Sequence, residues 1–475
     1  MLTFTACGGN AGRSGTAASG STGSTDTGST GSTGTGGHGV GGAGTGGAGA
    51  GAACGDVASF IPAWAAKAVP SKEIYVSPSG DDNLNDGSKA KPFQTTAKAF
   101  SLLAPGVRLD FGAGTYACPP FVSGLAATTA APAMVRSSDG PRAARFDCGG
   151  TADFFFSHVS GVVLDGLEIA NTAGHGVQLD SGNPFDPTSL SADFVLMRSY
   201  VHDTALAGIK VAQSRRVYVI GNEFAHSGPG RQDVEFVATD AVAIVGNDAH
   251  DSDAFNEVKG GAHGGVIAHN HIHDMNPGGG GILVGGDCTG KQFLVDPTVD
   301  FEATGLEVWG NVITGADGFA FRVVGCHECL IANNTYWSPA PKAILRILHD
   351  SFASVGGSGC DVPLHNKNLV VENNVFAWPN ASTYVIASDE DPANVKLAHN
   401  LWFVSGGDIA KYGSDLPFLG EPTSVYNVDP RLVSPPGDVS LAAGSPAKGA
   451  GVSLPGVPGR FDGTCWPGAP DLGAY

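Results

Sequence analysis

The chain has 475 residues with 71 glycines and 29 prolines, and only 15% of its residues are charged. A hydrophobic share of 42% supports a packed interior, so the composition excludes a disordered acidic protein. The net charge of −19 argues against binding to nucleic acid or to an anionic membrane surface by bulk electrostatics. It also opposes a polyanionic substrate, unless a local basic stripe or a bound cation offsets the field.

The N-terminal region has two features of an exported, surface-attached protein. Residues 1–7 resemble the end of a lipoprotein signal, with small residues before Cys7, which is therefore a candidate lipidation site. A chance cysteine is the alternative. Residues 8–53 are rich in glycine, serine and threonine and predict a flexible linker. No stretch is apolar enough to span a bilayer. The linker and the lipid-type cysteine together predict an extracellular or cell-surface protein, with a peripheral lipid anchor in the outer membrane if Cys7 is lipidated.

The globular part begins with a predicted strand and a predicted helix. Residues 74–82 read as a strand that runs into an Asn/Asp/Gly loop. Residues 91–103 predict a short helix that ends before Pro105 and Gly106. Its apolar side chains fall on one face: Phe93, Ala97, Phe100 and Leu103. Such a helix closes one end of a stacked-strand fold.

An internal repeat decides the fold class. A unit of alternating β-branched residues, followed by a turn at a small residue or an asparagine, recurs along the chain. The turn positions are Ser199, Asn222, Asn247, Asn270, Asn311, Asn334, Asn374 and Asn400. Most steps are 23 to 26 residues, and two steps of 41 and 40 residues indicate coils with insertions. An apolar period of two excludes helical repeats.

The repeat predicts an all-β fold, a single-stranded right-handed parallel β-helix with a short N-terminal capping helix. We expect the β-helix and its N-terminal cap over residues 54–425 and a C-terminal cap over residues 426–475. The turn asparagines should stack at one corner, where their side chains bond along the axis. A solenoid of this size is expected to be a monomer.

Three short motifs support this fold through a resemblance. The motifs are Ile74-Tyr75-Val76-Ser77-Pro78-Ser79-Gly80, Gly114-Thr115-Tyr116 and Asp471-Leu472-Gly473-Ala474-Tyr475. They resemble signatures of secreted members of the pectate-lyase-like β-helix superfamily, and the resemblance covers about residues 74–475. It implies the fold more strongly than the chemistry, because this fold carries lyases, hydrolases, epimerases and adhesins.

Eight further cysteines favour disulfides, because the number is even and the protein is expected outside the cell. They are Cys54, Cys118, Cys148, Cys288, Cys326, Cys329, Cys360 and Cys465. Cys288 and Cys326 fall at equivalent places of adjacent coils, which predicts a bridge between them. Cys118–Cys148 is predicted as a local pair and Cys329–Cys360 as a third. A redox or zinc half-site at Cys326-His327-Glu328-Cys329 is the alternative.

Histidines recur three or four residues after successive turn positions, as His202, His226, His250 and His273, and aspartates follow three of them. Residues that recur on every coil indicate a stack with a structural role. A metal site is the alternative, and His269 and His271 add to it.

The second strand of each coil carries charged residues that do not recur in type. Ten to twelve residues past their turn positions lie Lys210, Glu257, Lys259, Arg322 and Arg346. Because neighbouring strands are about 4.8 Å apart, these side chains are predicted to form one charged stripe on the outer wall. A solvated charged face without function is the alternative.

The segment Asn256-Glu257-Val258-Lys259-Gly260-Gly261 resembles the catalytic-lysine strand of calcium-dependent pectate lyases, of chondroitinase B and of alginate lyases. The resemblance implies that Lys259 is the base of a β-elimination and that Glu257 is a calcium ligand. The chain departs from chondroitinase B one coil later, where Leu283-Val284-Gly285-Gly286 replaces an Arg-His pair.

We therefore expect a lyase that cleaves an acidic, uronate-containing polysaccharide. Catalysis is assigned to Lys259 and Arg322 and substrate binding to Lys210 and Arg346. Calcium wants several oxygen ligands, and the candidates are Asp233, Glu235, Asp253 and Glu257. Lys259 acts as a base only when neutral, so neighbouring cations are required to lower its pKa. A glycoside hydrolase that uses two of these carboxylates and a non-catalytic carbohydrate-binding or adhesin module remain as alternatives.

Overall fold

The computed structural model describes residues 54–182, 188–287, 289–353, 360–379 and 384–475. Cys7, the linker at residues 8–53 and Cys288 lie outside the described residues. The described part is almost entirely β-structure. No helix in these ranges is long and apolar enough to cross a membrane.

Helices are few and short in the described ranges. The two α-helices are α1 (Ala63–Ala66) and α2 (Thr96–Phe100). The 3₁₀-helices are Val57–Phe60, Lys291–Phe293, Pro392–Asn394 and Ile409–Lys411.

The helix predicted over residues 91–103 is therefore too long. It begins only at Thr96, where the Thr95 hydroxyl accepts a hydrogen bond of 3.1 Å from the Lys98 amide. The preceding Phe93 is drawn into the sheet, since its amide donates to the Tyr75 carbonyl at 2.9 Å. The Phe100 ring contacts Phe111 and other core aromatic residues, so α2 packs against the interior as expected of a cap.

The strands follow the chain in a regular succession. In chain order they are β1 (Lys72–Val76), β2 (Val107–Phe111), β3 (Gly114–Ala117), β4 (Val122–Ser123), β5 (Ala133–Ser137), β6 (Ala144–Asp147), β7 (Phe154–Ser157), β8 (Ser160–Asp165), β9 (Glu168–Thr172), β10 (Val177–Asp180), β11 (Ser191–Met197), β12 (Tyr200–Thr204), β13 (Ile209–Ile220), β14 (Glu223–Ala225), β15 (Gln232–Val245), β16 (Asp248–His250), β17 (Ala254–Lys259), β18 (Ala262–Ala268), β19 (His271–Ile272), β20 (Gly280–Gly285), β21 (Ala303–Trp309), β22 (Val312–Thr314), β23 (Phe319–Val324), β24 (Cys326–His327), β25 (Leu330–Ala332), β26 (Thr335–Trp337), β27 (Ala343–Leu348), β28 (Asp350–Ala353), β29 (Cys360–Leu364), β30 (Leu369–Glu372), β31 (Val375–Pro379), β32 (Tyr384–Ser388), β33 (Val395–Ala398), β34 (Leu401–Ser405), β35 (Gly413–Ser414), β36 (Val425–Tyr426), β37 (Leu432–Ser434) and β38 (Asp438–Leu441).

Parallel pairing stacks these strands into the three walls of a right-handed parallel β-helix, which confirms the predicted fold. Wall A runs β4-β7-β10-β13-β15-β17-β20-β23-β27-β32-β35. Wall B runs β1-β2-β5-β8-β11-β13-β15-β18-β21-β25-β30-β33, with β24 also paired to β21. Wall C runs β3-β6-β9-β12-β14-β16-β19-β22-β26-β31-β34-β36. The long strands β13 and β15 bend from wall A into wall B, and β28–β29 and β37–β38 form antiparallel hairpins outside the walls.

The turn asparagines stack at the corner between walls B and C, as predicted. Each asparagine from Asn222 to Asn374 donates its side-chain amide to the Oδ1 of the asparagine on the next coil, for example Asn222 to Asn247 at 3.0 Å and Asn311 to Asn334 at 2.9 Å. Ser199 begins the row and Ser424 ends it through backbone-to-side-chain bonds. We call this row from Asn222 to Asn400 the asparagine ladder; its members are buried and hydrogen-bonded.

The disulfides confirm one predicted pair and correct the others. Cys118–Cys148 is present as predicted, with Cα atoms 4.7 Å apart. Cys326 is bonded to Cys329, so the predicted Cys288–Cys326 and Cys329–Cys360 pairs are wrong. The reason lies in the backbone, because Gly325 has a φ of +58° and turns the chain from wall A onto wall B. Cys326 thus leaves the wall on which the equivalence with Cys288 was based.

The C-terminal segment, predicted as a cap over residues 426–475, runs back along the coils. The Asn333 side chain donates to the Asp471 carbonyl at 2.9 Å, and the Ala474 amide donates to the Thr335 hydroxyl at 2.9 Å. A third disulfide, Cys54–Cys465, joins this segment to the first described residue. The segment also contacts His269, whose Nδ1 lies 3.0 Å from the Phe461 carbonyl, which gives that histidine a packing role.

Candidate functional site

The predicted charged stripe is a single register column on wall A. In the strand register Lys210 lies beside Glu235, and Glu235 lies beside Glu257. The next three positions of the column are Leu283, Arg322 and Arg346. Five steps of about 4.8 Å place the two ends roughly 24 Å apart along the axis. Lys259 lies on the same face as Glu257, two residues further along β17. We call Lys210, Glu235, Glu257, Lys259, Arg322 and Arg346 the charged column.

Two lysine–glutamate ion pairs occupy the middle of the column. Lys210 is paired with Glu235, and Lys259 Nζ lies 2.9 Å from Glu257 Oε2. All four side chains are largely buried, so the charges interact at short range with little water between them. Burial alone raises the pKa of Glu235, but Lys210 and Lys259 outweigh it and bring that pKa to about 2.

Lys259 is surrounded by carboxylates rather than by the cations that its role as a base was predicted to require. Burial lowers the pKa of its ammonium group, but Glu257, Glu235 and Glu302 outweigh burial and raise that pKa well above the ordinary value. Lys210 shows the opposite balance, because burial lowers its pKa more than Glu235 raises it. With its ion pair in place, Lys259 is therefore a cation.

Glu302 lies behind Lys259 and was not identified from the sequence. It is fully buried, and it accepts hydrogen bonds from the Gly260 amide at 2.6 Å and from the Thr289 hydroxyl at 2.9 Å. Burial raises the pKa of the Glu302 carboxyl to about 7. Glu302 directly precedes β21 of wall B and follows the insertion that lengthens this coil. Because the insertion interrupts the regular spacing of the repeat, the sequence pattern did not indicate that Glu302 lies near Lys259.

Gly286 provides the space in which Lys259 and Glu257 pack. A Cβ atom at this position would lie 2.5 Å from Lys259 Cδ and 2.6 Å from Glu257 Oε1. The irregular register between β17 and β20 begins at Glu257 and brings this glycine over the ion pair. The sequence Gly285-Gly286, which departs from the chondroitinase B pattern, is therefore part of the site's packing.

The four predicted calcium ligands divide between two places. Glu235 and Glu257 lie in the charged column, whereas the buried Asp233 accepts a hydrogen bond from the Ser227 hydroxyl at 2.6 Å. Asp253 accepts hydrogen bonds from the Gly230 amide and, at 2.8 Å, from the Asn276 side chain. In the described ranges, no third His, Cys or carboxylate lies at metal-ligand spacing from Glu235 and Glu257.

The end of the column nearer the C-terminus is basic. Arg322 forms an ion pair with Asp287. Arg346, one coil further, lies 5.4 Å from the centroid of the Phe319 ring and has no carboxylate partner among the ion pairs of the described residues. Burial and the neighbouring Arg322 lower the pKa of the Arg346 guanidinium. A surface cavity of about 320 Å³ adjoins it, lined also by Lys342 and Tyr384.

A histidine row on wall C confirms the predicted structural stack for three of its four members. His202, His250 and His273 each place Nδ1 within 2.9 Å of the aspartate that follows in the chain. Each Nε2 faces a carboxylate on a preceding coil, at 3.1 to 3.4 Å. His226 does not belong to the row. It has a φ of +53° and occupies the turn position that aspartates hold on the other coils.

Comparison with known proteins shows that this chain is similar in fold to solved structures. The sequence matches no protein-family model and no curated protein. Among solved structures, the pectate lyase Pel9A is similar with a TM-score of 0.56 and 18% identity, over 89% of this chain and 99% of that one. A rhamnogalacturonan lyase is similar with a TM-score of 0.52 and 13% identity, over 69% of this chain and 87% of that one. The chain thus shares the parallel β-helix fold of these two structures.

Proposed function

We propose that the protein acts on polysaccharides, as a lyase that cleaves an acidic chain by β-elimination along the charged column. The observation that carries the proposal is Arg346, a cation without a carboxylate partner in the described ion pairs, beside Arg322 on the same wall as Lys259. In a chain of net charge −19, this basic end supplies the local field that an anionic substrate needs. The named activities of the two fold relatives support the same class of substrate.

The reaction removes the proton on the carbon next to the uronate carboxylate and breaks the bond to the neighbouring glycosidic oxygen. Lys259 takes that proton, the electron pair forms a carbon–carbon double bond, and the departing oxygen takes a proton from solvent. Arg322 assists catalysis by neutralising the carboxylate of the reacting sugar, and Arg346 binds a carboxylate of a sugar further along the column, where a guanidinium forms two parallel hydrogen bonds. Lys210 holds Glu235 and extends the binding surface in the other direction.

Lys259 must lose its proton before it acts as the base. The carboxylates of Glu257 and Glu235 hold the pKa of its ammonium group high. A cation that takes over these two carboxylates removes that stabilisation, so the burial of Lys259 then lowers its pKa. The ion pairs therefore represent a resting state, and substrate turnover requires that the pair between Lys259 and Glu257 opens.

Calcium fits Glu235 and Glu257 as two of its ligands. Both carboxylates already face a cation, because the ammonium groups of Lys210 and Lys259 lie against their oxygens. Hard oxygen donors of this kind suit calcium. Asp233 and Asp253 do not fit the same site, since their oxygens bond elsewhere. Bound calcium would neutralise the substrate carboxylate and so acidify the neighbouring proton.

An extracellular or cell-surface location is part of the proposal. The three disulfides of the described residues are typical of an oxidising compartment. Lipid attachment at Cys7 remains a prediction, tested by mass spectrometry of the protein from its native membrane.

A substrate panel tests the activity. Polygalacturonate, alginate and a neutral glucan are incubated with the protein, with and without calcium, and the unsaturated product is followed by its near-ultraviolet absorbance. We expect product from a uronate polymer only, and more of it with calcium. Reducing ends without that absorbance would instead indicate a hydrolase that uses the carboxylates, and binding without cleavage would indicate an adhesin-type module.

Two substitutions of Lys259 test its role. Lys259→Ala and Lys259→Arg are each expected to lower kcat at least a hundredfold, because arginine keeps the charge but does not deprotonate at neutral pH. Lys396→Ala is the control for loss of a lysine–glutamate pair outside the column. Lys396 lies 3.0 Å from the buried Glu372 on wall B, although its own side chain is more exposed than that of Lys259. If Lys259→Arg retains the activity while circular dichroism shows a native fold, Lys259 binds substrate and is not the base.

A further inference from the structure

We propose that Asp248, His271 and His273 form a binding site for a divalent transition-metal ion of the zinc class on the outer face of wall C. One oxygen of Asp248 lies 3.1 Å from His271 Nδ1 and 3.1 Å from His273 Nε2. The three ligand atoms all lie within 4.8 Å of one another. This site is separate from the charged column and does not depend on the activity proposed for it.

The spacing suits a small tetrahedral ion. With metal–nitrogen and metal–oxygen bonds near 2.0 Å, neighbouring ligands of a tetrahedral zinc ion are about 3.3 Å apart. Two imidazoles and one carboxylate match the three protein ligands of open zinc sites, in which water takes the fourth position. Nitrogen donors favour such an ion over calcium, which prefers oxygen.

The hydrogen bond of His273 to Asp274 fixes which nitrogen faces the site. His273 Nδ1 lies 2.9 Å from Asp274 Oδ2, so a neutral imidazole donates there and leaves the lone pair of Nε2 directed at Asp248. A metal ion between Nε2 and Asp248 would take the place of the proton that otherwise bridges these two atoms. A carboxylate that orients a ligating histidine in this way is a recurring feature of protein metal sites.

The backbone makes this coil different from the other coils of the histidine row. His202 has the same two carboxylate contacts as His273, with Asp203 at 2.7 Å and Glu168 at 3.3 Å. On the coil of His273 two imidazoles meet the same carboxylate oxygen, because His271 is the register partner of Asp248. The two imidazoles beside Asp203 meet different oxygens, and that of His226 lies 3.5 Å away. The His271 and His273 rings stack 4.5 Å apart, and so both present a nitrogen on the same side.

The site is open to solvent and joins two coils. The side chains of Asp248 and His271 are 47% and 41% exposed, so an ion can enter without unfolding the wall. Asp248 lies in β16 on one coil. On the next coil His271 lies in β19 and His273 directly follows that strand. A bound ion therefore cross-links adjacent coils, and its binding free energy adds to the stability of the folded chain.

The experiment uses the full chain without an affinity tag, freed of metal with a chelator. Titration calorimetry with Zn²⁺ is expected to show one site per chain with a Kd in the micromolar range or tighter, and Co²⁺ should give the intense visible absorption of tetrahedral coordination. His271→Ala and Asp248→Asn should each weaken Zn²⁺ binding at least tenfold and abolish the Co²⁺ bands. Asp274→Ala should weaken it about tenfold through lost orientation.

His202→Ala is the matched control, because it removes a histidine with the same carboxylate contacts from a group that lacks metal-ligand spacing. The second imidazole there, that of His226, lies 3.5 Å from the other oxygen of Asp203. His202→Ala should leave the affinity and stoichiometry unchanged. The proposal is overturned if no saturable one-to-one binding occurs, or if His202→Ala weakens binding as much as His271→Ala does. Since His271 is half-exposed, His271→Ala should keep the native circular dichroism spectrum, which excludes unfolding as the cause of lost binding.

Discussion

The asparagine ladder and the charged column are both rows of side chains that run along the coils, but they differ in how each member is satisfied. In the ladder each asparagine from Asn222 to Asn374 has the same partners, a carbonyl on the preceding coil and an asparagine on the next. In the charged column the neighbours change from coil to coil, from lysine to glutamate, leucine and arginine. At its two ends the ladder is hydrogen-bonded to Ser199 and Ser424. The column instead ends in Arg346, a cation without a carboxylate partner among the described ion pairs.

This difference separates residues that make the fold from residues that are available for function. A repeated, buried and fully bonded row gains stability from every coil and leaves nothing free to bind a ligand. A row of ion pairs that are largely buried costs desolvation energy and gives little net stability in return. Such a row of buried ion pairs in a solenoid wall is therefore better explained by an action of the charges on a substrate than by a gain in stability.

The largest expected effect comes from interrupting the ladder at Asn311. Asn311→Ala removes the acceptor for both Asn270 donors and leaves the Ile267 carbonyl without its 2.8 Å hydrogen bond. Each buried group left unsatisfied costs about 1–3 kcal/mol, so we expect a loss of about 3 kcal/mol or more in the free energy of unfolding. Urea unfolding followed by circular dichroism measures it.

Asn394→Ala is the control for the ladder. Asn394 lies near the surface and donates to a single carboxylate, Glu390, at 3.0 Å. Its removal is expected to cost less than about 1 kcal/mol. Equal losses for the two variants would show that the ladder adds no more to stability than an ordinary side-chain hydrogen bond, and the contrast between the two rows would fail.

The next effect is on the charged column and should spare the fold. Gly286→Ala places a methyl group within 2.6 Å of both Lys259 and Glu257, so the ion pair must move. We expect kcat on the cleaved substrate to fall about tenfold or more, because a small displacement of a reacting group has an effect of that order. The melting temperature should change by only a few degrees, since the displaced atoms belong to side chains.

Gly468→Ala is the control, because a Cβ atom there meets nothing within 4 Å. It should change neither rate nor stability. A Gly286→Ala protein with wild-type kcat would mean that the position of Lys259 does not matter for turnover, and the lyase mechanism would have to place its base elsewhere.

The sequence predicted the ladder and the column because both follow the period of the coil. The features that the sequence did not predict lie where the chain departs from that period. Glu302 follows the insertion between Asn270 and Asn311 and bonds to the Gly260 amide, next to Lys259. Its distance from Lys259 along the chain carries no information about this contact. Cys326 leaves wall A because Gly325 turns the backbone, and His226 takes a turn position one residue beyond that of its neighbours in the row. The charge environment of Lys259 depends on all three walls, so a single-strand motif predicts the residue but not its pKa.

The smallest expected effect concerns pH and compares two buried glutamates. Burial raises the pKa of Glu302 to about 7, above its ordinary value of 4.5. Burial also acts to raise the pKa of Glu390, but hydrogen bonds from Asn366 and Asn394 outweigh it and lower that pKa. The folded state therefore binds a proton at Glu302 more tightly than the unfolded state does, and binds one at Glu390 less tightly.

The two residues should consequently affect stability with opposite signs. Between pH 4.5 and 7 the unfolded chain loses the Glu302 proton while the folded chain keeps it, so the contribution of Glu302 to stability falls as pH rises. Glu302→Gln removes this loss, and its melting temperature should exceed that of the wild type by a few degrees at pH 7 and match it at pH 4. Glu390→Gln removes a stabilising carboxylate, so it should be less stable than the wild type at pH 7, with the difference shrinking as pH falls below 4.5. Thermal unfolding of the three proteins from pH 4 to pH 8 measures both trends.

If Glu302→Gln is no more stable than the wild type at pH 7, the Glu302 carboxyl is ionised there. Its negative charge would then contribute in full, together with those of Glu257 and Glu235, to the raised pKa of Lys259.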